Sequence, residues 1–208
     1  MLLLHLTVGP FEANCYIVGD EEKREVIVID PGGDAPRILN LIEKHDLRVS
    51  AILNTHGHID HVAANLDVRE HTGALIGIHP DDAPLLEDVL LNGSAMFGIP
   101  FRTHRPDFLL TEESRQTVGR LTIRVLHTPG HTRGSICLIV DDAMFTGDTI
   151  FKGSVGRCDL PGGESRTLQH SLRTKILPLG DAYLVYPGHG DKTTLKHERR
   201  NNPFLLEL

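Results

Sequence analysis

Cysteine is scarce in this 208-residue chain: Cys15, Cys137 and Cys158 are odd in number, far apart and without C-x-x-C spacing. That excludes a disulfide framework and points to reduced thiols. Positive charge is in deficit, with 21 Lys and Arg against 28 Asp and Glu and a formal net charge of −7. A phosphate backbone calls for a basic patch, so nucleic acid is not an expected partner. No apolar run approaches the roughly 20 residues that span a bilayer. The short run Met1-Leu2-Leu3-Leu4 has no basic region before it, and Glu12 and Asn14 follow before any cleavage-like segment, so it reads as a strand and not as a signal. Repeats, low-complexity tracts and linkers are missing too, and one domain over residues 1–208 is expected. These absences predict a cytoplasmic protein without a membrane partner. Tryptophan is absent and tyrosine numbers three, yet there are 13 histidines. Imidazole is the commonest metal ligand at neutral pH, so that surplus directs attention to metal.

The rest of the composition is that of an ordinary globular protein, 40% hydrophobic and 24% charged. Residues 14–18 and 25–29 are β-rich runs, the second halted by Asp30-Pro31-Gly32-Gly33. Asp34 is placed to cap a helix in which Ile38, Leu41, Ile42 and His45 recur at three- and four-residue spacing. Residues 49–53 form a short apolar run, the pattern of a strand covered on both sides, and it stops at Asn54-Thr55-His56. Asp60 or a neighbour is then expected to cap a helix reaching about Arg69, before a strand at 74–78. Residues 81–110 carry no clear pattern. Further strands are predicted at 121–126, 135–140, 143–145 and 182–186, with a Gly-rich loop at 147–163 and a helix opening at Ser165. Two sheets between two helical layers, an α+β four-layer αββα sandwich, satisfy this order.

Thr55-His56-Gly57-His58-Ile59-Asp60-His61 places three imidazoles and a carboxylate within six positions at the end of a buried strand. Each unpaired polar side chain there loses on the order of several kcal/mol of hydration. A metal is the natural partner. His with carboxylate suits Zn, Fe or Mn, and the absence of nearby Cys argues against a thiolate finger. A solvated His-rich turn is the bland alternative.

The string resembles the signature of the metallo-β-lactamase-fold hydrolases. Later segments follow in that family's order: Thr128-Pro129-Gly130-His131-Thr132, Phe145-Thr146-Gly147-Asp148-Thr149, and Pro187-Gly188-His189-Gly190. The likeness runs from Ile29-Asp30-Pro31-Gly32 to Asn202-Pro203-Phe204 and is nearest the small glyoxalase II-like branch. It implies that His56, His58 and His131 hold one divalent metal ion, that Asp60, His61 and His189 hold a second, and that Asp148 bridges them. Zinc is the first choice, with iron or manganese also compatible. Three neutral imidazoles leave one tetrahedral position open, the mark of a catalytic site. Two dications sharing an oxygen lower the pKa of bound water to about 7. The resemblance therefore implies attack by a metal-bridging hydroxide on the carbonyl of a thioester such as S-lactoylglutathione, with Asp60 orienting the nucleophile. Asp30 is either an orienting partner of a ligand imidazole or a plain turn residue. Arg157 matches a basic substrate-contacting position of the family, against a surface salt bridge, and Lys152 is a lesser candidate. The other eight histidines have no ligand spacing of their own.

Two departures put the substrate in question. Only Asp191 to Leu208 follow His189, too little for the helical extension that supplies much of a full glyoxalase II's glutathione site, and Asp191 stands where that family has a glutathione-binding tyrosine. A smaller thioester or a lactone would suit a more open site. An iron-dependent persulfide dioxygenase needs only His56, His131 and Asp148, all present. Flavodiiron reductases carry a glutamate where His58 stands. A β-lactamase is disfavoured by the missing export signal and by Asp148, and the nucleases of this fold by the lack of room for a second domain. A non-catalytic metal-binding protein is the remaining class. The expected partner is a small-molecule substrate; oligomeric state has no signature.

Overall fold

The computed structural model describes residues 1–208. Six strands, β1 (Leu2–Val8), β2 (Ala13–Asp20), β3 (Glu25–Ile29), β4 (Arg48–Leu53), β5 (Leu75–Ile78) and β6 (Phe108–Leu109), pair in that order into one sheet. The first three are antiparallel and the last four parallel. A second sheet begins with β7 (Arg115–Val118), β8 (Leu121–His127), β9 (Ile136–Val140) and β10 (Ala143–Gly147). A small hairpin, β11 (Ile150–Phe151) and β12 (Ser154–Val155), precedes β13 (Leu184–Pro187) and β14 (Thr193–Thr194), giving the order β14-β13-β10-β9-β8-β7. In this sheet β10 and β13 run parallel.

Alternation along the central strands explains how the sheets stack. In β3, Val26 and Val28 face one side, and Ile27 and Ile29 the other, all four buried. In β9, Ile136, Leu138 and Val140 turn one way, and Cys137 and Ile139 the other. A strand apolar on both faces needs a layer on each. Ile27, Ile29 and Leu53 therefore meet Ile136, Leu138 and Phe145 between the sheets. The outer face of the first sheet packs on α1 (Ala35–Lys44) through Ile38 and Ile42, and on Val62 and Val68 of α2 (Ile59–Val62) and α3 (Asn65–Thr72). Two short helices follow, α4 (Ala83–Glu87) and α5 (Ser94–Phe97). The outer face of the second sheet packs on Leu168, Leu172 and Ile176 of α6 (Ser165–Ser171) and the π turn that continues it, and on α7 (Leu195–Asn201) and α8 (Pro203–Leu206). The result is the αββα sandwich. Phe145 anchors the middle layer, its ring 5.1 Å from that of Tyr16 and 5.2 Å from that of Tyr186; truncating such a side chain costs about 3–5 kcal/mol.

Several local expectations are corrected. Asp34 does occupy the position before α1, but in a left-handed conformation with no capping bond; its carboxylate instead accepts from Gly9 N–H at 3.1 Å and Arg37 at 3.0 Å. The helix expected from Asp60 to Arg69 is two pieces, broken at Ala63–Ala64, with His58 in the capping position and Asp60 inside the first turn. The helix expected to open at Ser165 does so, and Glu164 caps it, accepting from the N–H groups of Arg166 and Thr167. The loop at 147–163 contains the β11–β12 hairpin, and the unpatterned 81–110 holds α4, α5 and β6. No helix is long and apolar enough to cross a membrane.

Candidate metal centre

The parallel strands β4, β10 and β13 end at one edge of the sandwich, and ligand sites of open α/β sheets lie beyond such carboxyl ends. His56 and His58 follow β4, with Asp60 and His61 in α2. Asp148 follows β10, His189 follows β13, and His131 sits in the connection from β8 to β9. Thr55 C=O accepts from Ile136 N–H at 2.9 Å and Gly188 C=O accepts from Asn14 N–H at 2.7 Å, so the two sheets are tied backbone to backbone, while Gly188 N–H donates to Gly147 C=O at 2.8 Å within the second.

All seven side chains singled out from the sequence as ligands lie together. His56, His58 and His131 offer ligand atoms within 4.8 Å of one another, as do Asp60, His61 and His189, and His56, His61 and Asp148 form a third group that joins these two. Individual separations are 2.9 Å for His58 Nδ1 to His131 Nε2, 3.3 Å for His61 Nε2 to His189 Nε2, 3.1 Å for His189 Nε2 to Asp60 Oδ2, and 3.4 Å for His61 Nε2 to Asp148 Oδ1. Ligands of a tetrahedral zinc sit about 3.3 Å apart, given metal–nitrogen bonds of about 2.0–2.1 Å.

The hydrogen bonds on the far side of the rings decide where the lone pairs point. His131 donates Nδ1–H to the carbonyl of Arg157 at 2.7 Å. His61 donates Nδ1–H to the Asp30 carboxylate at 3.0 Å. Thr55 donates its hydroxyl to Asp30 Oδ2 at 2.6 Å, which leaves a hydroxyl lone pair for His56 Nδ1–H at 3.2 Å. In all three rings Nε2 is therefore the nitrogen aimed inward, the arrangement that outer partners of metal-bound histidines impose. His56 Nε2 and Asp148 Oδ1 are buried with no hydrogen-bond partner, as is His58 Nε2. Buried polar atoms are rarely left so, and lone pairs converging on lone pairs require a cation. The donor set, five imidazoles and two carboxylates, fits divalent metal ions.

Charge is distributed to the same effect. Burial, reinforced by the neighbouring imidazoles, drives His56 far below the usual histidine pKa, and burial with His131 beside it takes His58 down to about 3. Both are neutral ligands at neutral pH. Burial works against a proton on His61 and His189, but Asp60 and Asp148 outweigh it and both lie above the usual value in the protein by itself. The Asp148 carboxyl is buried, yet His61 and His131 hold it ionised well below the ordinary range.

The glycine at 188 is a requirement of packing: a Cβ there would lie 2.3 Å from Asp148 Oδ1 and 2.7 Å from His61 Cε1. The His189 loop is also held from beneath. Asn14 donates to the carbonyls of Pro187 and Gly190 at 3.0 and 2.9 Å, Tyr16 donates to Pro187 at 2.7 Å, and His5 fixes the Asn14 amide at 2.7 Å. Asp82, fully buried, ties the two loops of the first cluster together. It accepts from Gly57 N–H at 2.9 Å, from Thr132 Oγ1 at 2.7 Å and from Gly134 N–H at 2.7 Å. Burial pushes its pKa up and these donors pull it back, with a balance above the usual carboxylate value. None of Asn14, Tyr16 and Asp82 was marked in the sequence. The backbone groups and hydroxyl they hold lie 25 to 176 positions away, where no spacing rule reaches.

Asp30 is an orienting residue by geometry, and the plain-turn reading is set aside. Arg157 lines the cavity over the site, but its guanidinium is also paired with Asp159 at 2.6 and 2.7 Å. Lys152 pairs with Asp191 at 2.9 Å and does not line that cavity. Among the other histidines, His79 and His127 come together beside Asp81, rings 4.0 Å apart and 13° from parallel. In-plane lone pairs of parallel rings do not converge, and His79 Nδ1 already accepts from Asp81 N–H at 3.2 Å. The three cysteines are free and unpaired, two of them buried.

The chain belongs to the metallo-beta-lactamase superfamily, whose family model matches residues 8–189, and it is a metallo-hydrolase of that superfamily. Among its relatives, it is 39% identical over 204 residues to hydroxyacylglutathione hydrolase GloC of Haemophilus influenzae, with 96% of each chain covered. Its fold matches the solved structure of the B3 metallo-beta-lactamase BLEG-1 with a TM-score of 0.93, at 38% identity over 98% of this chain and 99% of that one. It matches TTHA1623 in a di-iron-bound form with a TM-score of 0.88, at 38% identity over 97% of this chain and all of the other (100%).

Proposed function

We propose that this protein is a two-metal thioester hydrolase, with His56, His58 and His131 holding one ion, Asp60, His61 and His189 the other, and Asp148 between them. One observation carries the reading: side chains from four separate segments aim ring nitrogens and carboxylate oxygens at a common space while the outer atoms of three rings are held by Asp30, Thr55 and the Arg157 carbonyl. When bound, a pair of divalent ions supplies a water ionised at about neutral pH and a Lewis acid for the carbonyl oxygen. The chain does the rest. Asp60 lies at the open side of the second cluster, 3.1 Å from His189, where it orients the attacking water. Burial of the first cluster excludes bulk water behind the reacting carbonyl.

The name of the Haemophilus influenzae relative supports a thioester, and S-lactoylglutathione is the first substrate to test. The dioxygenase alternative uses only His56, His131 and Asp148. It leaves Asp60, His61 and His189 without a task although they converge as tightly, which favours hydrolysis. The test is elemental analysis of the purified protein together with hydrolysis of S-lactoylglutathione. His58→Ala and Asp148→Ala are expected to lose metal and turnover together, by at least about a hundredfold. Full turnover in either variant refutes the assignment, and iron with thiol-dependent oxygen uptake would favour the dioxygenase.

A further inference from the structure

The cavity above His58, Asp60, His131, Asp148 and His189 encloses about 370 Å³, near the small end of the roughly 300–1,000 Å³ of ligand pockets. Away from those residues its wall is apolar. Phe11, Leu90, Leu91, Met96, Phe97 and Phe151 supply much of it. These side chains are not core residues. Leu90 is 69% exposed and Met96 63% exposed, on α5 and the loop before it, and Phe97 reaches Phe11 edge-on at 4.9 Å. Large apolar side chains clustered in the open are expected to be covered in use. Here the cluster is continuous with the metal-ligating residues, so its occupant is whatever the centre acts on.

The charges disfavour an occupant with two carboxylates. Beyond the candidate metal-ligating residues the cavity has one ionic side chain, Arg157, and Asp159 engages one edge of its guanidinium through Nε and Nη2. Glutathione carries carboxylates at both ends of the tripeptide, and this wall offers the two of them a single cation, Arg157, already shared with Asp159. A buried carboxylate without a partner is costly. An alkyl chain in the same place gains affinity with every methylene removed from water.

We propose that this wall is a subsite for an uncharged apolar arm of the thioester, and that the glutathionyl group is not specifically recognised. The inference rests on the hydrolase reading for the identity of the reacting group but is tested by binding alone. The full-length zinc-loaded protein is titrated calorimetrically with two series: straight-chain carboxylates from acetate to octanoate, which mimic the acyl side, and S-alkyl N-acetylcysteamine thioethers from methyl to octyl, which mimic the thiol side. In one series the dissociation constant falls about fourfold per methylene until the wall is covered, and that series identifies the side of the thioester that carries the arm. Met96→Ser and Phe97→Ala each reduce the slope; Met96 is exposed enough that its replacement leaves folding intact. S-methylglutathione binds no tighter than S-methyl-N-acetylcysteamine.

Flat affinities in both series overturn the proposal, as does S-methylglutathione binding tenfold or more tighter than its cysteamine counterpart. Flat series with a doubled hydrodynamic mass would assign Leu90 and Met96 to contact with a second copy and overturn it equally. Chain-length-dependent binding without hydrolysis of any matched thioester would sink the hydrolase reading and leave the subsite standing. Hydrolysis without chain-length dependence does the reverse.

Discussion

Asp82 hydrogen-bonds to none of the seven candidate metal-ligating side chains, yet it is the anchor on which the first cluster depends. Its carboxylate holds the Gly57 N–H between His56 and His58, and the Thr132 hydroxyl and Gly134 N–H just after His131. Asp82→Ala strands two backbone donors in a dry interior, each at a cost of about 1–3 kcal/mol. The Thr132 hydroxyl is spared because Ser135 Oγ is also within 2.7 Å. Relief of the buried charge offsets part of this, leaving a net loss of about 2–5 kcal/mol. Asp82→Asn keeps one acceptor and turns an amide N–H toward a donor, so the loss is smaller, about 1–3 kcal/mol. Both are measured by urea unfolding of the metal-free proteins. The functional consequence is selective. With its two loops untied, the His56–His58–His131 cluster loses about 10–100-fold in zinc affinity. The Asp60–His61–His189 cluster, held instead by Asp30 and Asn14, keeps its own. Zinc competition titration of Asp82→Asn should therefore resolve one tight and one weakened ion where the parent protein shows two tight ones. Parental unfolding midpoints in both variants, or equal weakening of both ions, would refute the reasoning.

Gly188→Ala drives a methyl group to within 2.3 Å of Asp148 Oδ1. The carboxylate must move, so turnover should fall about a hundredfold while circular dichroism shows the parental fold; turnover within a factor of two of the parent would remove Asp148 from the reaction. Far from the site, Arg120 forks onto the buried Asp20 carboxylate at 2.7 and 3.0 Å and holds its pKa below the ordinary carboxylate range. A depressed folded-state pKa contributes stability above the unfolded value, lost as the pH falls below about 4. The stability gap between the parent and Asp20→Asn should thus close on acidification, and a gap as wide at about pH 3 as at about pH 7 would show that the pair contributes nothing through ionisation.

The parts of this protein that the amino-acid sequence determined by itself are those written in local pattern. The β-rich run at residues 25–29, halted by Asp30-Pro31-Gly32-Gly33, and the apolar run at 49–53 name central strands, because short apolar runs bounded by turn residues are what a sheet covered on both faces requires. The string from His56 to His61 names a metal-binding loop, because imidazoles and a carboxylate at that density have little else to pair with. His131, Asp148 and His189 were legible only through their resemblance to a family, since nothing local joins them to His56. Residues 81–110 were illegible. Their helices are four and five residues long, too short for periodicity to register, yet they bring the apolar wall over the site. The break between α2 and α3 was missed for a related reason: helix propensity continues through Ala63 and Ala64, and it is tertiary contact that turns the chain there, with Ala64 N–H captured by the Pro31 carbonyl at 2.9 Å.

Only the folded structure decided which nitrogen of each imidazole faces inward, because that depends on Asp30, Thr55 and the Arg157 carbonyl arriving from 1 to 31 positions away. It likewise decided that Asp82 ties two loops and that Arg157 reaches the cavity already engaged by Asp159. A side chain's chemistry is fixed by its type, but its protonation, direction and freedom are set by neighbours that the chain supplies only when its two sheets have closed on each other.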